Sequence, residues 1–559
     1  MVYKICAFLL LASLSTAVSA QKSTPSKWWV NFSDKANSPF CTCRPAEFLS
    51  ARALDRRARA GISVVESDLP VNPAYIKALV VSGVRIHSTS KWLNSATIIA
   101  DSASAMALVQ LPFVEQVQYL GPDIKVKNPP NKLPSKRPGI SAIPKLGEGQ
   151  SVFGYASLQN SLLGVPFVHA TGDRGAGIWI AVMDGGFTSA DVLPFFDSVA
   201  LQGRLYQGWD FVERDGAVYE SASHGTSVLS VMASDLPGYF VGTAPEATYF
   251  LLKTEDTGGE FPVEETNWIA GAEWADSIGV DLINASLGYT VFNDTTLSHT
   301  FADLDGHSSL GSRGAAIAAS KGMLILNSAG NSGEDSWKYL GVPADAPGVI
   351  AVGAVQHDGS RAGFSSIGPS ADGRIKPDLM APGEMVVVAG SSGTELGLSN
   401  GTSLAAPMLT GALASLWSGY PQKTADEILT AVTQYADQAS QPDNLRGYGL
   451  PDLALSWLAL GGYLVPNSPN DARNGFFAFD REGGTFRFVL LPGVVTDQPQ
   501  SVELRDLLGN PIRRGTVHWK PGLLSTLTFS GMQDLPPGFY HVVLHTDMGK
   551  RHLAGLVWP

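Results

Sequence analysis

Between residues 178 and 353 the chain alternates short, continuously apolar runs with helical stretches, and no other feature narrows its fold so far. The runs are Ile178–Met183, Thr248–Lys253, Val280–Asn284, Met323–Asn327 and Val349–Gly353. Their lack of polar alternation is the pattern of strands buried on both faces. Between them His224–Ala233, Asn267–Ser277 and Ser312–Lys321 carry helical spacing. This alternation predicts an α/β domain over residues 151–462, a mainly parallel sheet with helices on both sides, hence three layers. In such sheets a site lies beyond the carboxyl ends of the strands, so the chemistry is sought where a strand closes or a helix opens.

At 559 residues the chain exceeds one core,. Residues 1–20 read as a secretory leader: Lys4, an apolar stretch from Ile5 to Val18, then the small residues Val18-Ser19-Ala20,. Residues 21–120 read as a small α+β unit. Its expected helices are Phe48–Ala58, Asn72–Leu79 and Ala103–Leu108, and its expected strands Val84–Ser88, Ala96–Ala100 and Val114–Tyr119. Residues 121–150 hold Pro129, Pro130, Pro134, Pro138 and Pro144 and several lysines, a linker open to cleavage,. Residues 466–559 change character: Ser501–Asp506, Thr526–Phe529 and Tyr540–His545 alternate between Gly and Pro turns, which predicts a small antiparallel β-sandwich,.

Charge divides along these lines. Residues 21–150 carry 17 Lys+Arg against 9 Asp+Glu, a net +8, whereas residues 151–559 carry 21 against 42, a net −21. The two parts should attract each other, and the acidic body argues against a nucleic-acid partner. Of the three cysteines, Cys6 lies in the leader, and Cys41-Thr42-Cys43 is too tight for a zinc pair and reads as structurally incidental,.

Three residues stand where the strand rule puts a site. Asp184 closes the first strand in Met183-Asp184-Gly185-Gly186, and His224 opens a helix in Ser223-His224-Gly225-Thr226-Ser227. Ser403 follows Asn400-Gly401-Thr402 and opens the apolar helix Leu404–Trp417, whose start Pro407 is expected to mark,. A serine there has free N–H groups and the helix dipole beside it, which suits an attack that generates an oxyanion. Singly each residue has an ordinary reading, as a cap or a turn. Together they provide a nucleophile, a base for its proton and a carboxylate to orient the base.

Gly401-Thr402-Ser403-Leu404-Ala405-Ala406-Pro407 resembles the nucleophile segment of subtilisin-family serine peptidases, and the order Asp, His, Ser is that family's order,. The resemblance spans roughly residues 165–457. It implies a secreted serine endopeptidase in which Ser403 attacks, His224 transfers the proton and Asp184 supports the imidazolium. It makes Asn331, in Ser328-Ala329-Gly330-Asn331, the oxyanion amide. Ser286-Leu287-Gly288 and Ala329-Gly330 become the substrate-binding walls, with a preference for large apolar side chains. Two departures bear on rate: Gly185-Gly186 stands where Ser or Thr and then Gly is usual, and Ser227 replaces a second histidine. The basic unit at 21–120 is similar to the family's inhibitory propeptides, and residues 466–559 resemble the sorting domains that pass through the type IX secretion system. The resemblance thus implies protein substrates, the chain's own propeptide as inhibitor, an export machinery as partner, and a secreted or cell-surface location reached through the periplasm. No cofactor or metal is expected for catalysis. A structural calcium ion is allowed for, with Asp303-Leu304-Asp305-Gly306 opening like a calcium loop but lacking its later ligands,. Two other readings share these motifs: a silent scaffold serving as a binding protein, and an exopeptidase.

Overall fold

The structure, a computed structural model, describes residues 25–123, 151–390 and 392–460. In the C-terminal stretch it describes 475–480, 485–490, 500–506, 510–517, 525–529, 535, 538–546 and 549–558. The leader at 1–20, residues 124–150 of the linker and Pro536-Pro537 lie outside these residues.

The N-terminal unit is one antiparallel sheet with helices packed on it. Its strands are β1 (Ser26–Phe32), β2 (Arg85–Ser90), β3 (Ser95–Ala100) and β4 (Val114–Pro122), in the order β2-β3-β1-β4. Its helices α1 (Ala51–Arg59), α2 (Pro73–Val81) and α3 (Ser102–Ala107) are each capped by a side chain predisposed to it, Ser50, Asn72 and Asp101,. β1 is central, yet its Ser-Lys-Trp-Trp-Val-Asn-Phe has no simple period to announce it. Trp28 turns into this unit's own core, and Trp29 into the core of the domain beneath.

The large domain is built on seven strands: β5 (Trp179–Asp184), β6 (Leu205–Asp210), β7 (Thr248–Lys253), β8 (Leu282–Ala285), β9 (Leu324–Ser328), β10 (Val349–Val355) and β11 (Leu379–Pro382). They run β11-β10-β9-β8-β5-β7-β6, every neighbouring pair parallel. Successive residues feed opposite layers, as strand geometry requires. Ile180 and Val182 join a core with α4 (His224–Ala233) and a long helix from Thr402. Ala181 and Met183 join a second core with α5 (Val263–Ile278) and α6 (Leu310–Ser320). The long helix is α7 (Thr402–Ser418). The three-layer α/β fold expected from the sequence is therefore the fold observed.

Two strands escaped the sequence pattern for physical reasons. β6 is an edge strand, largely open to solvent, and Gly208 interrupts its register at φ +60°. β11, the other edge, is four residues long and ends at Pro382,. Two expectations need correction. Pro407 does not mark the start of α7; it lies within the helix, five residues beyond Thr402. Cys41 and Cys43 are not incidental to each other, because they are joined by a disulfide across the single residue Thr42. In the Asp303–Gly306 stretch the two carboxylates take part in local hydrogen bonds. Asp303 accepts from Thr300 N and Oγ1, and Asp305 from the backbone of His307 and Ser308, so both carboxylates serve as turn caps.

The C-terminal strands form two antiparallel sheets. Gly475–Asp480, Thr485–Leu490 and Ser525–Phe529 make one. Pro511–Val517, Gln500–Arg505, Gly538–Thr546 and Gly549–Trp558 make the other. Among the described residues no helix is long and apolar enough to cross a membrane.

Candidate active site

Strand order locates the site. Beyond β5 the chain lays β7 and β6 on one side and β8 to β11 on the other, so the crevice opens past the ends of β5 and β8,. Asp184 is the last residue of β5 and buried; Ser286 is the first residue beyond β8.

The Asp184 carboxylate has two assigned contacts. Oδ1 accepts from the Gly185 N–H at 2.8 Å, and Oδ2 lies 2.8 Å from His224 Nδ1. A carboxylate can only accept, so the imidazole carries its proton on Nδ1 and leaves Nε2 as the basic nitrogen. Glycines make this approach possible. A Cβ on Gly225 would stand 2.5 Å from the Gly186 carbonyl, and one on Gly186, at φ +143°, would stand 2.0 Å from the Glu220 carbonyl. Gly185, the departure from the family pattern, has more room: a Cβ there would meet Thr257 Cγ2 at 3.3 Å. Ser227 is buried in α4, its hydroxyl directed at the Ser223 carbonyl.

Helix α7 brings Ser403 to the same end of the sheet and packs against α4. Ser403 is the second residue of α7 and half-buried. Gly401 turns the chain into the helix at φ +153°; a Cβ there would lie 2.8 Å from Ser403 Oγ and 3.6 Å from Asn331 Nδ2, so the Ser403 hydroxyl and the Asn331 amide share one small space. The orientation of that amide is determined by its neighbours. Asn331 Oδ1 accepts from Thr402 N at 2.9 Å and from Thr402 Oγ1 at 3.0 Å, which leaves the Nδ2 donors facing away from Thr402,.

The expected walls adjoin each other. The Leu287 carbonyl accepts from Asn327 Nδ2 and Ser328 Oγ, tying the exit of β8 to that of β9. Gly330, at φ +111°, receives Thr402 Oγ1 on its N–H. Gly341 was missed by sequence reading. It lies between the walls: a Cβ on Gly288 would be 3.9 Å from its Cα, and a Cβ on Gly330 would be 3.9 Å from its N. Three glycines thus converge, with backbone where side chains would otherwise stand, and their sequence separation conceals the convergence.

Residues 175–450 match the profile of the Subtilase family, and residues 27–136 match the Peptidase S8 propeptide domain of Bacteroidota. The chain is 33% identical over 268 residues to a subtilisin of Bacillus pumilus, covering 47% of this chain and 85% of that one. It belongs to the subtilase family. This subtilase is also 30% identical over 321 residues to the thermostable alkaline protease of Halalkalibacterium halodurans, covering 56% of this chain and 77% of that protein. It is 33% identical to subtilisin NAT of Bacillus subtilis subsp. natto over 47% of its own length, and spans 61% of the length of that relative.

The N-terminal unit of this subtilase docks on the outer face of α5. Arg56 and Arg57 on α1 reach Asp276 at 2.6 and 2.7 Å, and Arg52 pairs with Asp281. Asp68 holds Arg57 and Lys321, and its carboxyl is held down at about 2 against its burial by the Arg57 hydrogen bond and its other donors. Glu273 accepts from Ser90 Oγ and from the N–H groups of Lys91 and Trp92. His87 faces Asn267 at 3.1 Å, and burial, aided by the Lys27 charge, pushes its pKa down to about 4.

Proposed function

We propose that the chain is a secreted serine endopeptidase, made as a latent precursor, that hydrolyses peptide bonds in proteins through an acyl-enzyme on Ser403. The observation that carries this reading is the 2.8 Å contact of His224 Nδ1 with a buried Asp184 at the end of β5, on the side of the sheet where α7 presents Ser403. His224 Nε2 takes the proton of Ser403 Oγ as the oxygen attacks the scissile carbonyl. Asp184 stabilises the imidazolium. The carbonyl oxygen becomes an oxyanion between Asn331 Nδ2 and the Ser403 N–H, near the positive end of α7. The imidazolium then protonates the leaving amine, and a water activated by the same nitrogen releases the acid. No cofactor is needed for these steps. The walls Ser286-Leu287-Gly288 and Ala329-Gly330, open toward Gly341, suit a large apolar side chain before the cut.

The segment 21–120 acts as an inhibitor until the linker at 121–150 is cut. The match to a propeptide domain and the charged interface on α5 both support this role. The two C-terminal sheets are consistent with an address module at 466–559 that takes the protein from the periplasm to the medium or cell surface.

Ser403→Ala tests the reading. It should abolish casein hydrolysis and fluorophosphonate labelling while leaving the circular dichroism of the chain unchanged. An unlabelled wild type would instead favour a silent binding scaffold. Release of short N-terminal peptides alone would favour an exopeptidase.

A further inference from the structure

The proline inside α7 has a consequence at the nucleophile. In an unbroken helix the N–H of residue 407 donates to the carbonyl of residue 403. Pro407 has no N–H, so the carbonyl deprived of its helical donor is that of Ser403,. The Ser286 hydroxyl donates to this oxygen at 2.7 Å from the end of β8.

The hydroxyl is itself oriented. Asn284 Nδ2 donates to Ser286 Oγ at 3.1 Å, which commits the Ser286 proton to the Ser403 carbonyl. Asn284 Oδ1 in turn lies 3.0 Å from Thr410 Oγ1, two helical turns beyond Ser403 on α7, whose one hydroxyl proton is shared with the Ala406 carbonyl at 2.8 Å. Asn284, Ser286 and Thr410 are all buried. The chain of bonds thus leaves α7 at Thr410, crosses the end of β8 and returns to α7 at Ser403. It holds the 403–404 peptide group, and the Thr402 N–H bond to Asn331 Oδ1 holds the 401–402 group one residue further back.

We propose that the Ser286 side chain is a positioning residue for Ser403, distinct from the part its backbone plays as a pocket wall. It supplies the donor that Pro407 removes, and so sets the tilt of the residue that bears both the nucleophilic oxygen and one oxyanion N–H. The inference rests on the reading of Ser403 as the nucleophile. A buried carbonyl left without its donor is costly, and here the strain is relieved by movement of the reacting residue itself.

The test uses the processed full-length chain and a fluorophosphonate probe alongside a peptide substrate. Ser286→Ala should lower the acylation rate and kcat about ten-fold, with KM within about two-fold of wild type. Adding Pro407→Ala restores an N–H at residue 407, and the S286A/P407A double variant should recover most of the lost rate. A purely packing role for Ser286 would gain nothing from that second change. Should S286A fold too poorly to assay, S286T and S286V, alike in shape and differing in the donor, are compared, and the threonine variant should acylate faster. A wild type that labels and cleaves, with S286A equally fast, or S286A unmoved by P407A, or equal Thr and Val variants, overturns the positioning role alone. A wild type that neither labels nor cleaves overturns both this and the proposed function.

Discussion

Arg57 of the N-terminal unit places its guanidinium 2.7 Å from the carboxylate of Asp276 on α5, with both side chains buried. Arg56 and Lys91 reach the same carboxylate. Removing one partner of a buried charge set leaves the others desolvated and uncompensated, at a cost of ~3–5 kcal/mol. Asp276→Ala should therefore release the N-terminal unit from the cleaved complex at least about a hundred-fold faster. The rate at which peptidase activity appears after linker cleavage measures this, and an unchanged rate would mean that the Asp276 charge set does not limit release.

His87 predicts an acid-favoured release. Its pKa in the complex is about 4, below the ordinary 6.5, so docking prefers the neutral ring. Its contribution to docking is complete above pH 6.5 and is lost as pH falls from there toward 4. At pH 5 the penalty is roughly 2 kcal/mol, or about thirty-fold in affinity. Glu273, pushed up by burial, acts with the opposite sign at the acidic end, so the comparison is between wild type and His87→Gln rather than between two pH values. Dissociation should accelerate between pH 7 and 5 in the wild type and much less in H87Q.

Asn331→Ala should reduce kcat by ~10²–10³, the loss measured for the corresponding amide in subtilisin, with little change in KM. Thr402 should matter less, since it orients the amide and does not replace it. Steady-state kinetics on one peptide substrate distinguish the two, and an intact kcat in N331A would mean that the oxyanion is held elsewhere.

Gly341→Val should place a side chain between Gly288 and Gly330. Discrimination by such contacts amounts to ~1–3 kcal/mol, so preference before the cut should move about ten- to two-hundred-fold from large aromatic to small side chains. Profiling a peptide library with both enzymes reads the shift. A wild-type profile led by Arg or Lys would contradict the apolar preference.

Deleting residues 466–559 should leave a folded protease, since the helix Leu453–Ala459 is already packed into the large domain. The truncated chain should collect in the periplasm of a host with type IX secretion, as cell fractionation would show. Its normal appearance in the medium would remove the sorting role.

The amino-acid sequence by itself determined the α/β layering and offered the candidate chemistry-bearing residues. Continuous apolar runs are readable because a strand buried on both faces is mostly apolar along its whole length; Thr248–Lys253 and His224–Ala233 begin and end where the pattern says. Asp184, His224 and Ser403 were legible because each closes a strand or opens a helix, a local property. The linear sequence did not disclose what depends on long-range approach. β6 lacked a pattern because an edge strand has water on one side, and Gly341 gave no signal because a glycine's role lies in which backbones come near it. Pro407 looked like a helix start because its own chemistry is the same at the first turn or the sixth residue. Only the tertiary structure decided that its missing N–H falls opposite Ser403, and that Ser286, more than a hundred residues earlier, brings the hydroxyl that answers it.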